Sequence, residues 1–399
     1  MNTPLLKKNY DPAILIGGEL AGLWTARILG RQSVDVYLIT DNPKDIALSS
    51  KYCKKKSIVK SPWTRQVLKK TLTEASHSTT KRLVVYPSTD ELALNLSILK
   101  DELLDDYQFV VGEKNAVETI VNKKKFYQEL KKTKIPFPTT YFPNDLDEAK
   151  HLSTQISYPI LVKPAMTHVF NKAFGPEIKC FEAKSSDELL KYYRLTQKAN
   201  VEVVFQQNIA GKPNTFYQLE GYYDRKNNPT ALFARQAMRI WPLDFGTTTL
   251  CQSIKLSNLS KESQEISNLL IQLGYNGLMS ADFKRDPEDG KLKLLEINSR
   301  IWLHFWLPTA CGVDILFASY LDAIGERMDM PHDYVVGMKS LHFAMDFKSS
   351  FKMIRHRELS IPNYFSSLMG KKVYAFFSSE DILPFLHYYS NLARQTLRI

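Results

Sequence analysis

The sequence predicts a chain of mixed α/β and α+β class: a first domain on a parallel sheet, two α+β units, and a C-terminal extension. Three observations predict it. "AILIGGELAGLWTARILG" followed by "VDVYLIT" reads as strand, glycine turn, helix, strand, which is a βαβ unit. Beyond residue 119 short strands alternate with single helices without repeating that unit. Late in the chain two strands flank "DPEDG", whose proline and Asp-Gly are turn residues, so the pair reads as an antiparallel hairpin.

The elements follow in order. Ala13 to Ile16 is the first strand, and Leu20 to Leu29 has a helical pattern. Gly17, Gly18 and Gly22 do not give the G-x-G-x-x-G dinucleotide fingerprint, so they read as a tight turn with close strand-to-helix packing. "RLVVYPS" and "DELALNLSILKDELL" continue the alternation, and the first domain closes near Glu118. Phe126, Tyr127 and Leu130 have helical spacing, and "IPFP" ends that helix because a residue before proline is pushed out of the α region. The second unit has strands at Ile160 to Lys163, Ile178 to Phe181 and Val201 to Gln206, with a helix from Ser186 to Leu195. The third runs from "TFYQLEGYYD" to "EINSRIW" with a helix from Lys261 to Leu273. After Gly325 an aromatic-rich tail ends in an amphipathic helix near Pro384 to Leu397.

Composition narrows the function classes. With 399 residues, 44% of them hydrophobic, and a mean hydropathy of -0.27, the chain suits a globular protein of two or three domains. No stretch is apolar for the roughly 18 residues of a membrane span, and the first residues lack a signal-peptide pattern, so a cytoplasmic location is expected. Cys53, Cys180, Cys251 and Cys311 lie far apart without metal-ligand spacing and read as reduced, buried side chains. The formal charge of +11 is spread over short lysine runs rather than one basic arm, which suits polyanionic ligands without specifying them.

The chemistry concentrates in "KLKLLEINSRIW", Lys291 to Trp302. Strict alternation would place Leu292, Leu294, Glu296, Asn298 and Arg300 on one face, and Leu295 and Ile297 on the other. If the hairpin loop spans Pro287 to Lys291, Asp282 falls opposite Glu296 and shares a face with Asn298. Two carboxylates opposed across a hairpin repel, and a divalent cation resolves that cost. The oxygen-only set of Asp282, Glu296 and Asn298 suits magnesium. From the hairpin alone, a structural Asp/Glu/Arg ion-pair cluster reads as well as a metal site.

Beyond the hairpin, the order of motifs carries a resemblance. Lys123 in "NK", "IPFPTT", Lys163 in "YPILVKP", "FQQNIAG", "GYNGLMSADFKRDPEDG" and "LLEINSRIW" together resemble the ATP-grasp fold, in particular its stand-alone carboxylate-amine ligase branch related to D-aspartate ligase. The likeness covers nearly the whole chain. It implies a Rossmann-like pre-ATP-grasp domain over 1–118 and an ATP-grasp domain over 119–325, with its small lobe at about 119–210 and its large lobe at about 211–325. A C-terminal extension over 326–399 would pack on that domain.

The resemblance also assigns residues. Lys123 and Lys163 would contact ATP phosphates, where a compact ammonium acts as a point charge. Gln206, Gln207 and Ile209 of "FQQNIAG" would hold adenine, with Gln207 where relatives usually have Glu; Asn214 would meet the ribose. Asp282, Glu296 and Asn298 match the metal ligands, Asp282 standing where this branch commonly has Glu. Arg300 and Arg239 would act with Lys163 at the transferring phosphoryl group. Relatives often carry lysine at the position of Ala237, so Arg235 is the alternative for that part of the basic lining. The loop "AMTHVFNKAFGPEIKCF" has a single glycine in place of a Gly-rich flap, and His168 in it is a candidate phosphate or substrate contact. Trp302, Phe305 and Trp306 read as core.

The function implied is an ADP-forming ligase that activates a carboxylate as an acyl phosphate and joins it to an amine. The expected cofactors are ATP and two Mg2+ ions, with Mn2+ an admissible substitute. Small-molecule acid and amine are the expected partners, with no nucleic acid, no membrane, and a homodimer by analogy. Two alternatives stand beside it: an ATP-grasp carboxylase or kinase of a small metabolite, and a basic nucleic-acid-binding protein regulated by nucleotide without turnover.

Overall fold

The computed structural model describes residues 9–243, 246–331 and 333–397. Most of the opening stretch used for the leader expectation, Met1 to Lys8, and the ends of the expected first domain and extension lie outside them. Five parallel strands make the first sheet: β1 (Ala13–Ile16), β2 (Val36–Thr40), β3 (Cys53–Ile58), β4 (Leu83–Pro87) and β5 (Tyr107–Phe109), in the order β3-β2-β1-β4-β5. β1 and β4 are buried throughout, which is why they read as unbroken apolar runs. Gly17 holds φ +74°, and a Cβ there would stand 2.0 Å from the Ser88 hydroxyl, so turn and packing both require glycine. The N-terminus of the following helix, Glu19–Arg31, is met by the protein's own Asp45, whose carboxylate accepts from the Glu19 N–H at 2.7 Å and the Thr40 hydroxyl at 2.8 Å. The position where a dinucleotide's pyrophosphate would sit is therefore filled by a side chain.

Four antiparallel strands form the second sheet: β6 (Thr140–Tyr141), β7 (Ile160–Pro164), β8 (Phe181–Ala183) and β9 (Val203–Gln207), in the order β6-β9-β7-β8. Helices Leu146–Ser153 and Ser186–Lys198 cover it over a core of its own that includes Phe170, Leu189, Tyr193 and Phe205. The expected strand at Ile178 to Phe181 lies instead at Phe181–Ala183.

Seven strands build the third sheet. These are β10 (Phe216–Tyr223), β11 (Pro229–Trp241), β12 (Thr247–Ile254), β13 (Gly277–Arg285), β14 (Leu292–Asn298), β15 (Lys339–Leu341) and β16 (Lys372–Tyr374), in the order β14-β13-β10-β11-β12-β15-β16. The tail is thus part of the sheet: β15 pairs with β12, and β16 with β15. It also reaches the first domain, where fully buried Arg27 binds Asp381 at 2.9 Å. Glu118 lies inside helix Lys114–Val121, and the chain breaks at Asn122, whose side chain caps helix Lys123–Leu130 by accepting from the N–H groups of Lys124 and Lys125. Trp302, Phe305 and Trp306 are core, as expected, at 4%, 4% and 1% exposure. Cys53, Cys251 and Cys311 are free and buried, whereas Cys180 is only half-buried. Among the described residues no helix is long and apolar enough to cross a membrane.

Candidate active site

The hairpin forms where the turn chemistry puts it, although beside the turn Lys284 pairs with Lys293, one residue from the expected register. Asp282 pairs with Glu296 and Ser280 with Asn298, so the oxygen ligands sit together on edge strand β14 and its neighbour β13. The alternation expected along β14 does not hold. The register slips between Asp282 and Phe283, which leaves Leu295 as an extra residue, a β-bulge. Leu292, Leu294 and Ile297 all face the same core, while Glu296 and Asn298 turn to the cleft. Leu294 and Glu296 thus lie on different faces, which is how an apolar strand delivers a carboxylate one turn of pleat later. The bulge is held from outside the sheet: the Tyr127 hydroxyl donates to the Leu295 carbonyl, and the Leu294 N–H donates to the carbonyl of Pro136 at 2.8 Å.

Lysines from two elements face these ligands. Lys123 begins its helix with its N–H on the Ala165 carbonyl at 2.9 Å, and its ammonium lies 3.2 Å from Glu296. Lys163, on β7, donates to the Gln206 side chain at 2.9 Å; Gln206 is buried and donates in turn to the Thr140 hydroxyl at 2.9 Å. The charges of Lys123 first, then of Lys163, hold the Glu296 carboxyl down to about 2 although burial opposes them. Asp282 goes the other way: burial, then the neighbouring Glu296 charge, pushes it up to about 7. Its close donor is the Asn298 amide at 3.4 Å.

That asymmetry is the fit test for a cation. Two carboxylates paired across one hairpin, Glu296 held ionised and Asp282 tending to keep its proton beside it, with an amide oxygen adjacent, form an oxygen donor set that a hard divalent ion satisfies. Among the described residues no group of three His, Cys, Asp or Glu could hold a metal, so ions here would keep ligands from water or substrate phosphate, as magnesium does.

Arg300 is aimed at this set. Its guanidinium donates to Asn298 Oδ1 at 3.1 Å, to the Ile301 carbonyl at 2.9 Å and to Asp90 at 3.1 Å. Asp90 opens helix Asp90–Leu99 of the first domain and is a site residue the sequence did not reveal, since an acid in a first helical turn reads as ordinary dipole compensation. His168 lies in the same corner, but on a helix, Thr167–Phe174, where a loop was expected. Burial keeps its imidazole below its ordinary range despite Glu91 and Asp90. Lys172 of that helix binds Glu91 at 2.6 Å, which lays the segment against the first domain.

Other expected residues are placed differently. Arg239 is 3% exposed; its Nε and Nη2 bind Asp346 at 2.7 and 2.8 Å, and its Nη1 binds Ser367 at 2.6 Å. It is a buried clamp between β11 and the tail. Arg235 is likewise buried against Glu220, at 2.5 Å, but its charge still reaches Asp282 and favours the ionised carboxylate, whereas Ala237 is fully buried. The Gln207 N–H donates to the Thr139 carbonyl at 2.9 Å, and the Ile209 carbonyl accepts from Lys284 at 2.6 Å, which leaves that oxygen a second lone pair. Asn214 is exposed, its carbonyl accepting from Gln236 at 2.7 Å.

The chain is similar to known proteins in sequence and in fold. No protein-family model matches the chain. It is similar to the D-aspartate ligase of Enterococcus faecium, 24% identical over 243 residues, 59% of this chain and 57% of that protein. It is also similar to the N-terminal section of the carbamoyl phosphate synthase large chain of Methanopyrus kandleri, 22% identical over 332 residues, 80% of this chain and 56% of that protein. The chain spans little more than half the length of these relatives. Among solved structures, the biotin carboxylase domain dimer of Hydrogenobacter thermophilus 2-oxoglutarate carboxylase, in complex with MgADP, ADP and bicarbonate, superposes with TM-score 0.65 at 15% identity, over 83% of this chain and 74% of that one. The N5-carboxyaminoimidazole synthetase of Staphylococcus aureus gives TM-score 0.61 at 14% identity, over 84% and 82%. The fold is therefore the ATP-grasp fold, as the motif order implied.

Proton linkage at the hairpin gives a stability test. The folded protein keeps the Asp282 proton up to about pH 7, whereas the unfolded chain releases it near pH 4. Folded protein then binds more protons, so the ligand-free stability contributed by this group falls as pH rises from about 4 to about 7. Glu296, depressed, contributes above about pH 4.5 and loses that contribution as pH falls toward 2. Asp282→Asn is expected to melt above the wild type at pH 8 and to converge with it near pH 4. Equal differences at both pH values would contradict the electrostatic account.

Proposed function

We propose that the chain is an ADP-forming carboxylate-amine ligase that uses Mg-ATP. The observation that supports this most is the juxtaposition of Asp282, Glu296 and Asn298 with Lys123, Lys163 and Arg300 across the cleft between the second and third sheets. Asp282, Glu296 and Asn298 would hold magnesium, which supplies charge neutralisation at the transferring phosphoryl group. Lys123 would leave Glu296 for phosphate oxygens once that carboxylate has a cation. Lys163, set by Gln206, would meet the same phosphates from the opposite lobe, and Arg300, fixed by Asp90 and Asn298, would stabilise the anionic acyl phosphate end. None of these groups needs to form a covalent bond; they orient reactants and stabilise charge that develops in transfer. Attack of an amine on the acyl carbon would then expel phosphate and form the amide.

The likeness to a D-aspartate ligase favours an amino acid as one reactant. The likeness to a dimeric biotin carboxylase domain supports a homodimer as the assembly to test by sedimentation. The decisive assay supplies ATP, magnesium and pooled amino acids and small acids, and follows phosphate release and product mass. The expected product weighs the sum of acid and amine less one water, and phosphate release requires the amine. Release that needs bicarbonate but no amine would instead identify a carboxylase.

A further inference from the structure

The tail carries an apolar surface that the ligase chemistry does not use. In helix Phe343–Arg355 the usual burial is inverted. Asp346, Ser349 and Ser350 are buried, Asp346 on Arg239 and Ser349 on the Ile240 carbonyl at 2.8 Å. Phe343, Phe347 and Phe351, spaced i, i+4 and i+8, stand outward at 51%, 56% and 57% exposure. The next helix, Ile361–Ser367, is tied to the same Arg239 through Ser367 and presents Phe365 at 63%, with Met369 just beyond at 71%. Phe343 also lines a cavity of about 400 Å³ with Leu341, Tyr374, Phe377 and Phe385, so the stripe continues into an apolar groove. Single exposed apolar side chains are ordinary, but a contiguous set of this size marks an interaction surface.

Charge selects the occupant. Lys348, Arg355, Arg357 and Lys371 are exposed around the rings, and Lys352 and Lys372 are partly so. From 343 to 372 the acids are Asp346, buried on Arg239, and Glu358, 3.8 Å from His356. A second copy docked through this face would set cations against cations with no acidic complement. An anionic bilayer supplies what both halves of the face require, hydrocarbon for phenyl rings and phosphate for lysines. We propose that this face, centred on Phe343, Phe347, Phe351 and Phe365 with Lys348 and Lys352, seats the protein on an anionic phospholipid surface as a peripheral protein. The sequence alone suggested no membrane partner, because the feature is a folded face rather than a span.

Flotation with phosphatidylglycerol-containing and pure phosphatidylcholine vesicles tests this. The wild type is expected to float with the anionic vesicles, less so at high salt. The F347S/F351S variant, altered only at rings more than half exposed, is expected to lose binding by at least about tenfold with an unchanged melting midpoint. K348E/K352E is expected to lose the preference for anionic lipid. The proposal is overturned if the wild type ignores anionic vesicles, if F347S/F351S binds as well as wild type, or if sedimentation shows a dimer that F347S/F351S abolishes.

Discussion

Glu296→Gln is expected to lower metal-dependent ATP turnover by on the order of 10³-fold while leaving the fold intact. The size follows from removing several kcal/mol of charge stabilisation at the phosphoryl group, each 1.36 kcal/mol being tenfold in rate. Two features protect the fold. The side chain is 40% exposed at the cleft mouth, and the bulge that presents it is held through backbone atoms of Leu294 and Leu295 rather than through the carboxylate. The substitution leaves Lys123 without its partner at 3.2 Å, so phosphate affinity is expected to survive better than turnover. Near wild-type turnover at saturating magnesium, with an unchanged circular dichroism spectrum, would remove Glu296 from the metal site.

Arg239→Met is expected to act on stability instead. Breaking a buried ion pair by removing one partner costs about 3–5 kcal/mol, because the remaining charge is stranded in a low-dielectric setting. Here the stranded group is Asp346, 1% exposed, whose remaining hydrogen bond from a side chain comes from Thr249 at 2.9 Å. At roughly 2 °C per kcal/mol for a large domain, the melting midpoint is expected to fall by about 6–10 °C. The loss should be relieved in Arg239→Met/Asp346→Leu, where no charge is left unpaired. An unchanged midpoint with abolished turnover would return Arg239 to the catalytic role that the family resemblance implies.

Local chemistry was the legible part of this chain. The turn residues of "DPEDG" fix a hairpin, but its pairs beside the turn, such as Phe283 with Leu294, lie one residue from the expected register, and Asp282 meets Glu296 as expected only because the extra residue Leu295 compensates. The βαβ opening is equally plain, since a doubly buried strand must be apolar throughout. What escaped depends on distance or on a single extra residue. Nothing in "KLKLLEIN" separates a regular strand from one bulged at Leu295, because Leu294 and Leu295 are alike in apolarity; Tyr127 and Pro136 decide it. Asp90 and Arg300 are 210 residues apart, and Arg239 and Asp346 are 107 apart, so neither pair has a local signal. The tail strands Lys339–Leu341 and Lys372–Tyr374 are too short to show a period. Helix Phe343–Arg355 has no readable burial pattern for a different reason: its buried side joins Asp346, Ser349 and Ser350 to Met353, while its phenylalanines face outward.

The oxygen ligands of the hairpin are the centre of the account, and manganese substitution tests them most directly. Crystals grown with Mn2+ and a non-hydrolysable ATP analogue should show anomalous density coordinated by Asp282, Glu296 and Asn298, with the terminal phosphates between it and Lys123, Lys163 and Arg300. Anomalous density elsewhere, or a nucleotide bound with those three side chains still in their ligand-free contacts, would contradict it.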